Sequence, residues 1–419
     1  MYNIITMFKT TDKDILRSLA YKYMEIACDA KEGSKRDLWR AHLSGRSHET
    51  PILADYGMWN VWCKEVFADN KMECEDLFCK NIERSLKMSL LHDEVGDDTI
   101  LEPWYVVGAK NCPDNGRIWG LDLNLQGDVE TGGALRYGAP LKDLTNFLEE
   151  VKPVDHYIDE EKTAESYEKT ASLIGDIIPI YVNRMPVFMH FSGDIATDLC
   201  KMRGLEQIMI DMYEDPENLH ALCEFIGKHI KAQHDKAEAD GDFSFCSYTT
   251  QETPYCDELK DPTPSDKTFK RKDLWYFCAA QEFALISPEM HDEFLFQYQL
   301  PIMAEWGALS YGCCEDLTKK IDMLRKAKNL RSIAISPRAD VAKCAEQIGT
   351  DYAMSYRPNP ADVICCGFDE DKIKNILSDS VAKMEHNFCH IHLKDIETVE
   401  GEIDRLKRFT DIAKMVVGR

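Results

Sequence analysis

The sequence has no surplus of positive charge. Its 50 Lys and Arg face 74 Asp and Glu, a formal net charge of −24 over 419 residues. Nucleic acid and anionic membrane surfaces both need concentrated positive charge, so neither is expected as a partner. The one basic cluster, Lys267, Lys270, Arg271 and Lys272, is diluted by Asp266 and Asp273 and reads as a solvated loop. No run approaches the ~20 apolar residues needed to span a bilayer. Met1 to Leu16 lacks the charged and apolar regions of a signal peptide, so a cytoplasmic location is expected. The 16 cysteines form no CxxC framework, and in a cytoplasmic chain they are expected as thiols. Such free use of oxidisable residues fits a reducing, anaerobic cell. Neither GxGxxG nor GxxxxGK[ST] stands where a strand meets a helix, which argues against a Rossmann or P-loop protein. Low-complexity tracts, long linkers and internal repeats are also missing.

What is present is enough for a full core: 44% of residues are hydrophobic and 10% aromatic. Residues 11–45 read as helices, with Ile15, Leu19, Tyr23 and Ile26 at helical spacing. Short apolar runs then alternate with helical stretches. Strand-like runs begin at Pro51, Ile100, Ile177, Val187, Phe243, Ala308, Leu330, Tyr352 and Phe388. Asp215-Pro216 and Ser287-Pro288 mark helix starts, because proline is tolerated in the first turn. Strand–helix alternation implies parallel strands joined by crossovers. About eight such units suit an α/β fold with a single (β/α)8 barrel over 51–419, preceded by an N-terminal helical extension over 1–50.

Barrel enzymes carry their reactive residues just past the C-terminal ends of the strands. That rule selects Asp55 and Trp59 after the first strand and Trp104 in the second. It then selects His190, Asp194, Ser247, Tyr248, Cys313, Cys314, Glu315, Ser336, Arg338, Arg357, Asn359, Lys394 and Asp395. In Tyr311-Gly-Cys-Cys-Glu-Asp316, two thiols and a carboxylate offer ligands for Zn²⁺. The plainer reading is a packed thiol beside a capping carboxylate. In Phe388-Cys-His-Ile-His-Leu-Lys-Asp395, period two puts His390, His392 and Lys394 on one face. The two histidines precede the strand end, so burial or packing toward helices is expected of them, and Lys394 and Asp395 are the better site candidates. Arg357, in Ser355-Tyr-Arg-Pro-Asn-Pro360, suits a carboxylate or phosphate. Trp59 and Trp104 could wall a flat apolar substrate, although core or rim packing explains either one alone.

Ser287-Pro-Glu-Met290, Tyr311-Gly-Cys-Cys-Glu315, Ser332 to Asp340, Arg357-Pro-Asn-Pro360 and Leu393-Lys-Asp-Ile396 together resemble the uroporphyrinogen decarboxylase superfamily. The likeness is to a uroporphyrinogen-decarboxylase-like branch of anaerobes. It covers residues 200–415 well, 51–204 more loosely, and 1–45 hardly at all. It implies a (β/α)8 barrel and one of two chemistries. One is metal-free decarboxylation of porphyrinogen acetates, whose arginine-rich N-terminal signature has no match between Met1 and Gly57. The other is zinc-dependent methyl transfer to or from a corrinoid (cobalamin) on a small partner protein. There the family has a His-x-Cys pair; here Gly312 replaces the histidine and Cys314 matches the cysteine. Lys394-Asp395 stands where the last zinc cysteine falls. The resemblance therefore implies a corrinoid-dependent demethylating methyltransferase acting on a small methylated compound, such as a methoxylated aromatic. Zinc would sit at Cys314, with Cys313 and Glu315 as further ligands. Asp395, Lys394 and Glu282 are candidate proton donors. Asp55, Trp59, Trp104, His190, Tyr248, Tyr311 and Arg357 are candidate substrate-binding residues. A homodimer is a candidate state. The alternative is a cofactor-free decarboxylase or lyase of a small organic acid, and a third reading is a ligand-binding cup without catalysis.

Overall fold

The computed structural model describes residues 8–54, 57–123, 136–243, 253–263 and 269–419. Eight short strands run through them: β1 (Ile52–Ala54), β2 (Tyr105–Gly108), β3 (Ile180–Asn183), β4 (Trp275–Cys278), β5 (Ala308–Tyr311), β6 (Leu330–Ile335), β7 (Ala353–Tyr356) and β8 (Cys389–Leu393). Every pairing is parallel, as the alternation implies. The strands do not close into one barrel, however. Six form a curled sheet in the order β1-β8-β7-β6-β5-β4, and β2-β3 form a separate pair. Among the described residues the expected closed (β/α)8 barrel is thus corrected to a half-barrel with a detached two-stranded wing, and the strand-like run beginning at Phe243 lies outside them from residue 244 on.

The cause of the gap lies on the free edge of β1. The Ile52 and Ala54 N–H groups donate to the carboxylates of Asp98 and Asp97, at 2.8 and 3.1 Å, and Asp98 N–H returns a bond to Ile52 O. Side chains therefore satisfy the edge that β2 would otherwise pair. Both aspartates are buried. Asp98 is held in turn by Arg419, and Asp97 by His92 at 3.0 Å.

Three helices frame this region: α1 (Thr10–Ala27), α2 (Ala30–Leu43) and α3 (Leu77–Val95). Aspartate caps start several helices of the chain. Asp29, Asp76, Asp159, Asp340 and Asp369 each accept a backbone N–H in the first turn, which gives part of the acidic surplus a structural role. α1 buries Leu16, Ala20 and Tyr23 against Cys79, Ile82 and Leu86 of α3 and against Leu173 and Ile174. α2 plugs the bottom of the half-barrel. Its Trp39 and Leu43 pack with Leu53, Trp275, Ala308 and Ala353, which stand early in their strands.

Register decides which side chains face inward. Ser310 pairs with Ser332, Ala334 with Ser355, and Ser355 with His390. The intervening residues Ile333, Ile335, Met354, Ile391 and Leu393 belong to the large core shared with the outer helices, including Leu406 and Phe409 of Asp404–Val416. The half-barrel interior is therefore polar on the β5–β8 side. His390 and His392 are buried, as expected, but they face this interior and not the helices.

Candidate active site

The C-terminal ends of β5 and β8 bring together four of the residues selected from sequence. Lys394 reaches across so that its Nζ lies 3.5 Å from Cys313 Sγ and 3.8 Å from Cys314 Sγ, and it also contacts the Asp395 carboxylate. The two sulfurs are 3.5 Å apart, and Cys314 Sγ lies 3.7 Å from Asp395 Oδ2. Lys394 and Cys313 are buried, Cys314 is exposed, and Asp395 is half-exposed. The cluster thus has an outer side, Cys314 and Asp395, in reach of a ligand at the barrel mouth. Its inner side is lined by Phe277 and Ala279, with Phe191 packed against them and Cys313.

Two local features fix this geometry. Glu315 is a brace: its carboxylate oxygens accept the N–H groups of Cys313 and Ala280, at 2.7 and 2.8 Å, which ties the exits of β4 and β5 together. Asp395 sits at φ +56°, a left-handed conformation that aspartate tolerates better than most residues. The turn folds its carboxylate back over the ammonium. Gly57 packs against this turn at φ +81°, and a Cβ there would come within 2.6 Å of Asp395 Oδ1 and 3.0 Å of Asp395 N.

Arg357 follows β7 and is 1% exposed. Its Nη1 donates to Cys313 O at 2.7 Å, while Nε and Nη2 have no partner among the described residues. Glu282 lies on the β4 side with Asp194, Glu315 and Thr197 as neighbours. Burial first, then the charge of Glu315, raises its carboxyl above the ordinary range. Burial raises Asp194 well above its usual value, and Glu282 adds to the effect. The strand-end rule already selects Asp194 and Glu282 is a candidate proton donor, but that the two are neighbours shows only in the structure. His190 is half-buried, 6.4 Å from the Phe277 ring, and burial lowers its pKa.

Trp59 and Trp104 meet elsewhere. They line a cavity of about 530 Å³ with Trp62, Tyr23, Tyr105 and His92, in the gap between β1 and β2. Gly57 also lines this cavity, so its wall touches the Asp395 turn. Trp59 is 65% exposed and Trp104 9%. Tyr311 points away from the mouth: its hydroxyl donates to Gln299 Oε1 at 3.0 Å and lies 3.3 Å from His291 Nε2. Asp55, Ser247 and Tyr248 lie outside the described residues.

A catalytic zinc is bound by about three protein ligands and keeps one open position, with cysteines as thiolates. Here Cys313, Cys314 and Asp395 surround an ammonium, and backbone N–H groups occupy both oxygens of Glu315. Its hydrogen bond with Cys313, and then burial, push the Cys314 thiol up. As folded, this donor set is built around Lys394 and does not fit a zinc ion.

No protein-family profile and no curated protein sequence matches the chain. Among solved structures, a methyltransferase from Methanosarcina mazei matches with a TM-score of 0.50 at 12% identity, over 90% of this chain and 96% of that one. The likeness is one of fold.

Proposed function

We propose that the chain is a methyltransferase of the corrinoid-dependent demethylation type, working at the Cys313–Cys314–Lys394–Asp395 cluster. The observation that carries the reading is the buried Lys394 ammonium, held beside two thiols and a half-exposed carboxylate at the strand ends. The same-fold methyltransferase from Methanosarcina mazei supports it. The methyl donor is a small methylated compound, and the corrinoid rides on a small partner protein.

When bound, the reduced corrinoid supplies an electron pair that accepts the methyl group. The bond from the methyl carbon to the donor heteroatom breaks, and the heteroatom keeps its bonding pair. Alkoxide and phenoxide are poor leaving groups, so a proton delivered there lowers the barrier. General-acid help of this kind contributes about 10²–10⁴-fold. Lys394 is the proton source, and Asp395, which contacts it from the solvent side, orients it and returns the proton from water. Cys314 forms the outer wall beside the reacting heteroatom. Phe191 and Phe277 keep water from the inner side. No step runs through zinc, because a metal would have to displace Lys394 from its three partners.

The test is methyl transfer from a panel of methoxy-, methylthio- and methylamino-compounds to free cob(I)alamin, followed by the absorbance of methylcobalamin. The wild-type chain is expected to form methylcobalamin with at least one donor. Release of CO₂ from a small organic acid without any corrinoid, and no methylcobalamin, would put a lyase in its place.

A further inference from the structure

Arginine receives a carboxylate most firmly side-on, through the parallel N–H groups of Nε and Nη2. The chain uses this fork for its own carboxylates, and two pairs show it at short distance. Arg203 Nε and Nη2 donate to Asp211 at 2.6 and 2.8 Å, and Arg46 Nε and Nη2 to Asp257 at 2.6 and 3.0 Å. Arg357 differs. Its Nη1 is anchored on Cys313 O, and the whole Nε–Nη2 edge has no partner among the described residues, in a side chain 1% exposed.

The surroundings do not neutralise it. Lys394 adds a second cation, bonded to the sulfur of the residue whose carbonyl anchors Arg357. His390 and His392 are buried near the guanidinium and feel its positive charge. Of the nearby carboxylates, Asp395 is paired with Lys394 and Glu315 is held by two backbone N–H groups. Two hydroxyls complete the setting. Arg357 N–H donates to Ile335 O at 3.0 Å, which continues the β6–β7 ladder and sets Ser336 beside Arg357. Ser355 lies two residues earlier on the same inward face, and neither hydroxyl has a partner among the described residues. A buried guanidinium with its fork open is costly unless an anion fills it.

We infer that the Arg357 fork, with Ser336 and Ser355, is a subsite for a carboxylate of the small-molecule substrate. This rests on the proposed site and adds the substrate's class: a methylated compound that also bears a carboxylate. Arg357 anchors it on the β7 side while its methylated end faces Lys394 and Cys314.

Calorimetric titration of the full chain with benzoate against benzamide, and with acetate against acetamide, reads this without turnover. In the wild type, at least one acid is expected to bind ten times more tightly than its amide. In Arg357→Gln, that preference should vanish. Circular dichroism checks the variant's fold, and if it fails to fold, the wild-type acid-to-amide ratio decides alone. Equal affinities, no binding of either acid, or a preference that survives in folded Arg357→Gln would overturn the inference. Inorganic phosphate binding tightly in an Arg357-dependent way, with no acid preference, would overturn it too, in favour of a phosphate ligand. Carboxylate binding without methyl transfer would leave the subsite standing and remove the methyltransferase reading.

Discussion

Asp395 keeps its carboxylate over Lys394 only because the chain opposite has no side chain. Gly57→Ala would place a Cβ against the backbone and carboxylate of Asp395 at a left-handed φ, where alanine is itself disfavoured. The Asp395 turn must then move, and with it the proton relay. The expected result is a fall in kcat of about tenfold or more with KM nearly unchanged, because the relay acts in the transition state. A rise in KM alone would show that the turn serves binding. Lys394 and Asp395 were legible in the sequence because they follow a clear apolar strand at the end where barrels do chemistry. Tyr311 was not, because all four residues of β5 are buried and burial on both faces hides which one points inward. Its partners Gln299 and His291 come from outside β5 and show the phase only in three dimensions.

Among the elements, β1 is the least conventional. It is three residues long, and its outer edge is closed by Asp97 and Asp98 in place of β2. Asp98→Ala would strand the buried Ile52 N–H and leave Arg419 with only Glu49 and the Thr50 carbonyl. Leaving a buried N–H without its partner costs about 1–3 kcal/mol, so urea unfolding should show a loss of about that size. A change under about 0.5 kcal/mol would mean that β1 is held by β8 alone. Seven of the eight strands and their parallel sense could be read from periodicity, but β4 (Trp275–Cys278) and the gap could not, and the run from Val187 forms no strand. Alternation counts strands; it does not reveal that a carboxylate from the segment after α3 will take the bonds of a neighbouring strand. The Asp-Asp pair after Gly96 looks like an ordinary loop, and only its burial gives it away. The inward face of β7, by contrast, was partly visible: Ser355 and Arg357 stand two apart, and the prolines after Arg357 mark the strand's end.

Across the whole molecule, burial sets a characteristic response to pH. Burial lowers His42 to about 3 and His234 to about 4. It also lowers His190, and takes His291, His390 and His392 well below their usual value. A histidine with a depressed folded pKa stabilises the fold above about 6.5, and that contribution is lost as pH falls toward the folded pKa. Glu102, Asp194 and Glu282 are raised by burial and act in the opposite sense over the same range. Six lowered histidines outnumber three raised carboxyls among the described residues. Stability should therefore fall from pH 6.5 to pH 5 by at least about 1.4 kcal/mol per pH unit, one net proton. Denaturant midpoints across that range check it, and a flat or rising stability on acidification would contradict it.

The most direct measurement is single-turnover methyl transfer to cob(I)alamin by wild type and Lys394→Met, under anaerobic conditions and with the metal content of both measured. The account predicts substoichiometric zinc in both proteins and a rate at least 100-fold lower in Lys394→Met. About one zinc per chain, with a rate that survives the loss of Lys394, would contradict it and return the site to metal chemistry at Cys314.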